Sequence, residues 1–184
     1  DSVADAVKPS AELKQIMLIV NSSVERTEYV CGDRLKIQKV ILNLLSNAVK
    51  YTPEKGHVGV SLARTNDENT YSITVEDNGI GMSSSFQRIA FEAFSQEHRA
   101  GTDKIPGTGL GLAIVKQTVE LMNGKISLWS EEEKGSRFTV ELPLSRAECS
   151  GTVYGKKMEN QTALEGLHVL LCEDNELNIE IALM

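Results

Sequence analysis

Residues 43–50 have the sequence NLLSNAVK and lie within the clearest helical pattern of the chain. Apolar side chains recur at helical spacing from Ile37 to Ala48, and they predict one buried stripe along a helix that begins after Asp33. Aspartate is a favourable N-cap because its side-chain oxygen accepts hydrogen bonds from the free N–H groups of the first turn. The Thr-Pro pair at 52–53 ends the pattern, since the residue before a proline disfavours the helical conformation.

The opposite face of this helix is polar and carries Asn43, Asn47 and Lys50 at i, i+4 and i+7. A carboxamide oxygen is a hard neutral ligand, suited to a Mg²⁺ ion that keeps several waters and is otherwise held by substrate phosphates. Lys50 can pair with a phosphate as a point charge. Taken alone, the same pattern also fits an exposed polar face without a function.

Two glycine motifs follow along the chain, DNGIG at 77–81 and GTGLGL at 107–112. The Asp77 carboxylate can accept a hydrogen bond from an exocyclic amine such as the N6 group of adenine. Gly79 and Gly81 allow the backbone to approach a flat ring or to adopt positive φ. The second motif precedes a predicted helix, where glycine backbones can turn N–H groups toward an anion. The alternatives are an ordinary turn for the first motif and a hinge for the second.

The remaining secondary structure follows from periodicity and from turn residues. Further helices are predicted over residues 2–13 with a break or bend at Pro9, over a stretch after Gly81 that includes Phe86 and Phe94, and over residues 109–122. Strands are predicted at residues 15–20, 58–62, 71–75, 126–128 and 138–142. Residues 21–32 are polar, and residues 95–106 are predicted to form a mobile loop long enough to act as a lid.

The composition argues against several classes of protein. The net charge of −7 argues against duplex nucleic acid as a partner, since that affinity depends on basic side chains. The 184 residues contain no apolar run near the roughly 20 residues of a membrane span, and the first residues, which lack a basic start and an apolar stretch, are not expected to act as a signal peptide. Three cysteines are too few for a disulfide framework. A cytoplasmic location is expected, although a longer parent protein with an upstream membrane anchor is compatible with this.

Together with FEAF at 91–94, the three motifs resemble the N, G1, F and G2 boxes of the histidine-kinase ATP-binding domain, within the GHKL ATPase superfamily. The resemblance covers roughly residues 15–146. It implies an α/β fold of the Bergerat type, a two-layer sandwich with a mixed, mostly antiparallel sheet and helices on one face. It also implies that the chain binds ATP with Mg²⁺.

The resemblance assigns roles to individual positions. Asn47 would hold Mg²⁺ with help from Asn43, Lys50 and Tyr51 would lie near the phosphates or ribose, and Asp77 would recognise adenine. The segment between the F box and residue 107 would be the ATP lid. The other positions implied in nucleotide binding are Gly79, Gly81, Phe94, Gly107, Thr108, Gly109, Leu110, Gly111 and Leu112.

Asn43 separates two branches of the superfamily. The ATP hydrolases place a glutamate four residues before the Mg²⁺-binding asparagine, whereas asparagine cannot act as a base. We therefore expect the site, with Asn43 and Lys50 as its catalytic residues, to present the γ-phosphate to an outside histidine. His57, His98 and His168 lack the sequence context of a kinase phosphoacceptor. The chain alone is expected to bind Mg-ATP with negligible turnover.

Residues 167–178 resemble the opening of a response-regulator receiver domain, in which Glu173-Asp174 would help to hold Mg²⁺. The predicted organisation is an ATP-binding domain at 1–146, a linker at 147–166 and the start of a receiver at 167–184. A remnant of this size should have no phosphotransfer activity, and an unrelated strand-turn-helix is the alternative.

The expected partners are a phosphoacceptor-histidine dimerisation domain of the same parent protein and a receiver domain. The chain is expected to be monomeric and its hybrid-kinase parent homodimeric. Two other functions remain open, a degenerate kinase that binds nucleotide without passing phosphate and an ATP hydrolase.

Overall fold

The computed structural model describes residues 2–25, 27–67, 69–97 and 108–147, which belong to the compact unit Asp1–Glu148. The helices within these residues are α1 (Ser2–Leu13), α2 (Arg34–Tyr51), α3 (Ser84–Gln87) and α4 (Gly111–Leu121). The strands are β1 (Met17–Ser22), β2 (Tyr29–Val30), β3 (His57–Arg64), β4 (Thr70–Asp77), β5 (Lys125–Glu131), β6 (Gly135–Pro143) and β7 (Arg146–Ala147).

Five strands form one mixed sheet in the order β1-β3-β4-β6-β5. β1 pairs parallel with β3, and the other three pairs are antiparallel. The register places Val75 between Val60 and Phe138, so apolar side chains of neighbouring strands share one face. The predicted mixed, mostly antiparallel sheet is thereby confirmed.

The helices cover one face of this sheet, as predicted. Side chains from α1, α2 and α4 join those of β3, β4 and β6 in a single hydrophobic core. The buried residues of α2 are Val40, Leu44, Leu45, Ala48 and Val49. The opposite face of the sheet carries polar side chains, including an ion pair of 2.9 Å between Arg137 and Glu76.

The bounds of α2 agree with the prediction. The Asp33 carboxylate accepts a hydrogen bond of 3.0 Å from the Lys36 N–H and caps the helix start. The Thr52 N–H donates to the Ala48 carbonyl at 3.0 Å and closes the last turn. The central helix therefore has the length and the caps that its sequence encodes.

Of the predicted break or bend at Pro9, the structure excludes the break, because α1 runs through this residue from Ser2 to Leu13. Proline removes the hydrogen bond to the carbonyl of Asp5, but both residues are exposed, so water can satisfy that carbonyl. The first strand begins at Met17 instead of Gln15, since Gln15 has a φ of 55° and forms the turn after α1.

The predicted helix after Gly81 is also wrong in length, because α3 ends at Gln87. Beyond it the chain forms short turns, in which the Ile89 N–H donates to the Phe86 carbonyl at 2.9 Å. The Gln87 side chain donates to the carbonyls of Met82 (2.9 Å) and Ser130 (3.0 Å) and ties this segment to β5. These tertiary contacts override the local helical pattern.

The start of α4 at Gly111, two residues after the predicted start, follows from Gly109. Gly109 has a φ of 69°, which a right-handed helix does not contain. The C-terminal end near Asn123-Gly124 agrees with the prediction, since the Gly124 N–H donates to the Val119 carbonyl at 2.9 Å.

A small second sheet was not predicted. β2 pairs antiparallel with β7, and the Cys31 N–H donates to the Ser145 carbonyl at 2.9 Å. The carboxylate of Glu28 accepts hydrogen bonds from Tyr71 and Arg64, and the one from Tyr71 is the largest cause of its lowered pKa. Two-residue strands have no periodicity that a sequence pattern can reveal.

Several predictions lie outside the described residues. These concern Gly107 and the lid between 98 and 107, the histidines His98 and His168, and the linker and receiver-like segment from residue 148 onward. In the part of the chain that the structure describes, no helix is both long and apolar enough to cross a membrane.

Candidate functional site

A cavity of about 320 Å³ lies between α2, the segment after β4 and the start of α4. Most predicted site residues line it: Asn43, Asn47, Lys50, Tyr51, Asp77, Gly81, Thr108, Gly109, Gly111 and Leu112. The fold thus brings together motifs that are separated by up to about 70 residues in sequence. The volume of the cavity falls at the lower end of the range typical of small-molecule pockets.

Two asparagine amides form the wall that α2 contributes. The Asn43 Nδ2 donates to the Lys39 carbonyl at 2.8 Å. Among the described residues Asn47 has no side-chain hydrogen bond, so its amide is available to a ligand. A Cβ atom on Gly111 would lie 3.4 Å from Asn43 Oδ1 and 3.7 Å from Asn47 Nδ2. Glycine at this position therefore places the start of α4 directly against both amides.

The last turn of α2 supplies a cation and an aromatic ring. The Lys50 ammonium lies 4.8 Å from the centroid of the Tyr51 ring, and both side chains are half-buried. Lys50 forms no ion pair with any other residue that the structure describes. Gly111 and Leu112 bring the free N–H groups of a helix start to the same cavity. Together these groups favour an anion in the cavity.

Asp77 ends β4 and lies at another part of the cavity wall. Its Oδ1 accepts a hydrogen bond of 2.8 Å from the Gly79 N–H. Burial is the largest influence on this carboxyl and raises its pKa, while hydrogen bonds from the backbone of Gly79 and Ser136 and the charge of His57 oppose that shift. A partly desolvated carboxylate is stabilised by a further donor, such as the amine of a bound ring.

Three predicted residues do not line the cavity, and each has another role. A Cβ on Gly79 would lie 2.5 Å from the Tyr51 carbonyl, so glycine allows the two segments to pack closely. Phe94 is 73% exposed, and its N–H donates to the Gly109 carbonyl at 3.0 Å. Leu110 is the N-cap residue of α4. These residues support the shape of the site.

Gly81 lines the cavity, and the backbone conformation of the turn after β4 also requires glycine at this position. It has a φ of 64°, and a Cβ there would lie 1.9 Å from the Glu131 carbonyl oxygen. The turn after β4 therefore packs directly on the end of β5.

Sequence reasoning missed several lining residues: Ser46, Ala48, Ile80, Met82, Phe86, Ala90, Ser95, Gln96, Glu97, Ser136 and Phe138. The sequence could have indicated Ser136, because alternation along β6 places it on the core face, paired with Asp77 of β4. Its hydroxyl lies 3.0 Å from the Ser130 hydroxyl in a buried polar pair. Glu97 accepts a hydrogen bond of 3.1 Å from the Ser83 N–H, a contact that no periodicity indicates.

Residues 32–146 match the family model described as histidine kinase-, DNA gyrase B- and HSP90-like ATPase. The matched residues include α2, all residues that line the cavity, and strands β3 to β6, whereas β1 and β2 precede the match and β7 is reached only at Arg146. The family assignment therefore rests on the region that builds the site.

Similar proteins are sensor kinases. The autoinducer 2 sensor kinase/phosphatase LuxQ of Vibrio vulnificus is 35% identical over 185 residues, which cover 97% of this chain and 21% of LuxQ. The sensor histidine kinase WalK of Bacillus subtilis is 39% identical over 130 residues, covering 71% of this chain and 21% of WalK. The chain thus spans about a fifth of the length of these relatives.

Solved structures give the same result. Full-length ShkA in complex with AMPPNP superposes with a TM-score of 0.68 at 32% identity, over 79% of this chain and 29% of ShkA. The mycobacterial sensor histidine kinase MprB gives a TM-score of 0.65 at 28% identity, over 79% of this chain and 96% of that chain. The chain belongs to the histidine kinase-, DNA gyrase B- and HSP90-like ATPase family and contains the ATP-binding catalytic domain of a sensor histidine kinase.

Proposed function

We propose that the cavity binds Mg-ATP and presents the γ-phosphate to a histidine on a separate dimerisation domain. The observation that carries this proposal is Asn43, a neutral amide on the cavity wall where a hydrolase of this superfamily would need a base. The chain's similarity to proteins named sensor kinases supports the same direction of transfer.

Two sets of lining residues suggest how ATP lies in the cavity. Asp77, partly desolvated at the end of β4, is suited to accept a hydrogen bond from the adenine N6 amine. Lys50 and the start of α4 are suited to the triphosphate. ShkA was crystallised with AMPPNP, which supports the same type of ligand here.

Mg²⁺ fits the donors that the cavity offers. Asn47 presents an amide without a partner among the described residues, and Asn43 lies one turn away on the same face. Within the described residues no group of three or more His, Cys, Asp or Glu side chains forms a metal cage. A cation here would therefore be held by Asn47 and Asn43 together with phosphates and water, and it would neutralise phosphate charge.

The reaction needs little covalent chemistry from this chain. The lone pair of a neutral imidazole nitrogen attacks the γ-phosphorus, the bond from that phosphorus to the β–γ bridging oxygen breaks, and ADP leaves. Asn43 and Lys50 would orient the phosphate without accepting a proton. Because no base activates water at position 43, hydrolysis should be slow compared with transfer.

The partners follow from the same proposal. The phosphoacceptor histidine would belong to a dimerisation domain of the parent protein, which we expect to be a homodimer. A receiver domain would take the phosphate onward, and residues 167–178 resemble the start of one. The domain would work in the cytoplasm, where ATP is available.

The variant Asp77→Asn tests the placement of adenine. The asparagine side chain has the same shape, but it cannot offer the charged acceptor to the N6 amine. We expect ATP affinity to fall by about 10- to 100-fold, the value of a hydrogen bond to a charged group. Isothermal calorimetry with Mg-ATP measures this fall, and an unchanged affinity would refute the role of Asp77. Wild-type protein that binds no nucleotide would refute the proposed function itself.

A further inference from the structure

Lys14 follows the end of α1 and makes an unusually complete set of contacts with another helix. Its ammonium donates to the carbonyl oxygens of Val49 (2.9 Å), Lys50 (2.8 Å) and Thr52 (3.0 Å). An ammonium has three protons, so every donor of Lys14 is used on the C-terminal end of α2. No motif in the sequence drew attention to this lysine.

The carbonyls at the end of α2 explain why these contacts matter. The last four carbonyls of a helix have no partner within it. In α2 the Ala48 carbonyl is satisfied by Thr52, whose N–H and hydroxyl lie 3.0 and 2.7 Å away. The Tyr51 carbonyl accepts from the Ile80 N–H at 3.2 Å. The two carbonyls between them, those of Val49 and Lys50, depend on Lys14.

The same turn carries functional side chains. Lys50 and Tyr51 line the cavity, and their backbone carbonyls accept hydrogen bonds from Lys14 and Ile80 respectively. The main chain of Lys14 adds a further tie, because its carbonyl accepts from the Lys55 N–H at 2.9 Å. A cation at the C-terminal end of a helix is also favoured by the helix dipole. Burial is the main cause of the lowered pKa of Lys14, and the charge of Glu54 opposes it.

We propose that Lys14 is a positioning residue for the nucleotide site. By holding the last turn of α2, it keeps Lys50 and Tyr51 directed into the cavity where the triphosphate would lie. The proposal rests on the proposed function, since it assumes that Lys50 and Tyr51 contact the phosphates. It also links α1, which contributes no residue to the cavity lining, to the geometry of that site.

Loss of the Lys14 ammonium should affect one part of the nucleotide more than the rest. Removing the ammonium exposes the Val49 and Lys50 carbonyls to water and loosens the turn that orients the phosphate-binding side chains. Among the described residues the Asp77 side chain takes no hydrogen bond from this turn, and its Oδ1 accepts from the Gly79 N–H at 2.8 Å. Affinity for the triphosphate should therefore fall more than affinity for the nucleoside.

The test compares Lys14→Met with Lys8→Met in the full chain. Both changes remove a lysine from the same region, but Lys8 is exposed on α1 and does not line the cavity. Binding of Mg-ATP and of adenosine is followed by NMR titration, which tolerates weak ligands. We expect Lys14→Met to weaken Mg-ATP binding about tenfold, comparable to the loss of one charged hydrogen-bonded contact. Adenosine binding should stay near wild type, and Lys8→Met should change neither.

A conservative variant distinguishes a positioning role of Lys14 from a general effect on the stability of the fold. Lys14→Arg keeps a cation with several donors and should bind Mg-ATP within about threefold of wild type. If Lys14→Met does not fold, Lys14→Gln takes its place, with the same expected fall in the ratio of ATP to adenosine affinity. Equal losses for both ligands, or no loss in a folded variant, would overturn the role of Lys14. Because wild type is the reference, failure of wild type to bind ATP would instead count against the proposed function.

Discussion

The Asp77 carboxyl combines a proposed role in binding with a cost to the stability of the nucleotide-free protein. Burial raises its pKa, which means that the ionised carboxylate is less favourable in the folded chain than in the unfolded one. A carboxyl with a raised folded pKa stabilises the fold only at low pH. That stabilisation is lost as pH rises through the folded pKa.

The same Asp77→Asn variant that should lose ATP should therefore gain stability. Asparagine stays neutral, so the variant should unfold at a higher temperature than nucleotide-free wild type at about pH 7. The difference should shrink as pH falls through the raised pKa of Asp77 and the wild-type carboxyl becomes protonated. Thermal unfolding across this pH range measures it. A wild type that gains stability relative to the variant as pH rises would contradict the raised pKa.

Asn47 allows a second prediction at this scale. Because its amide has no hydrogen bond to other described residues, Asn47→Ala should change the free energy of unfolding by less than about 1 kcal/mol. ATP affinity in the presence of Mg²⁺ should fall about tenfold, and the difference between titrations with Mg²⁺ and with a chelator should shrink.

The control for Asn47 is Gln38→Ala, which removes another amide from α2 outside the cavity lining. It should keep the full dependence of ATP binding on Mg²⁺. Equal Mg²⁺ dependence in wild type and Asn47→Ala would argue that the ion is held elsewhere.

Among the helices and strands, local sequence patterns fail where tertiary contacts determine the structure. The α2 helix and the paired strands β3 and β4 agree with periodicity, since a buried face imposes a regular apolar repeat. The segment after Gly81 has a helical pattern but forms only four residues of helix, because Gln87 bonds to Met82 and Ser130. β2 and β7 are too short for any repeat to identify.

The turn at Gly81 gives a prediction for one such element. Gly81→Ala would place a Cβ 1.9 Å from the Glu131 carbonyl oxygen at a φ of 64°. It should destabilise the fold by roughly 2–4 kcal/mol, because neither the backbone contact nor the left-handed conformation tolerates a side chain. Urea unfolding measures the loss.

A matched glycine in the sheet serves as the control. At Gly59 the nearest atom to an added Cβ is the Glu76 Cγ at 3.3 Å, the flexible part of a side chain, and φ is not positive. Gly59→Ala should therefore stay within about 1 kcal/mol of wild type. Equal effects at Gly81 and Gly59 would show that the turn does not depend on glycine.

At the scale of the whole molecule, the order of the motifs predicted more than any one of them. Asn47, Asp77 and Gly111 come from three distant segments, and the fold places them around one cavity. The fold class also followed from the sequence through its resemblance to a known domain. Ser136, Glu97 and Lys14 did not follow, because their roles depend on register and on contacts between elements that carry no local pattern.

The fate of the γ-phosphate distinguishes transfer to histidine from hydrolysis of ATP. The chain is incubated with Mg²⁺ and ATP labelled at the γ-phosphate, alone and with the phosphoacceptor-histidine domain of its parent protein. We predict acid-labile label on the histidine domain and very little free phosphate from the chain alone, since Asn43 cannot activate water. Steady release of inorganic phosphate by the chain alone, with no label on the histidine domain, would contradict the proposal.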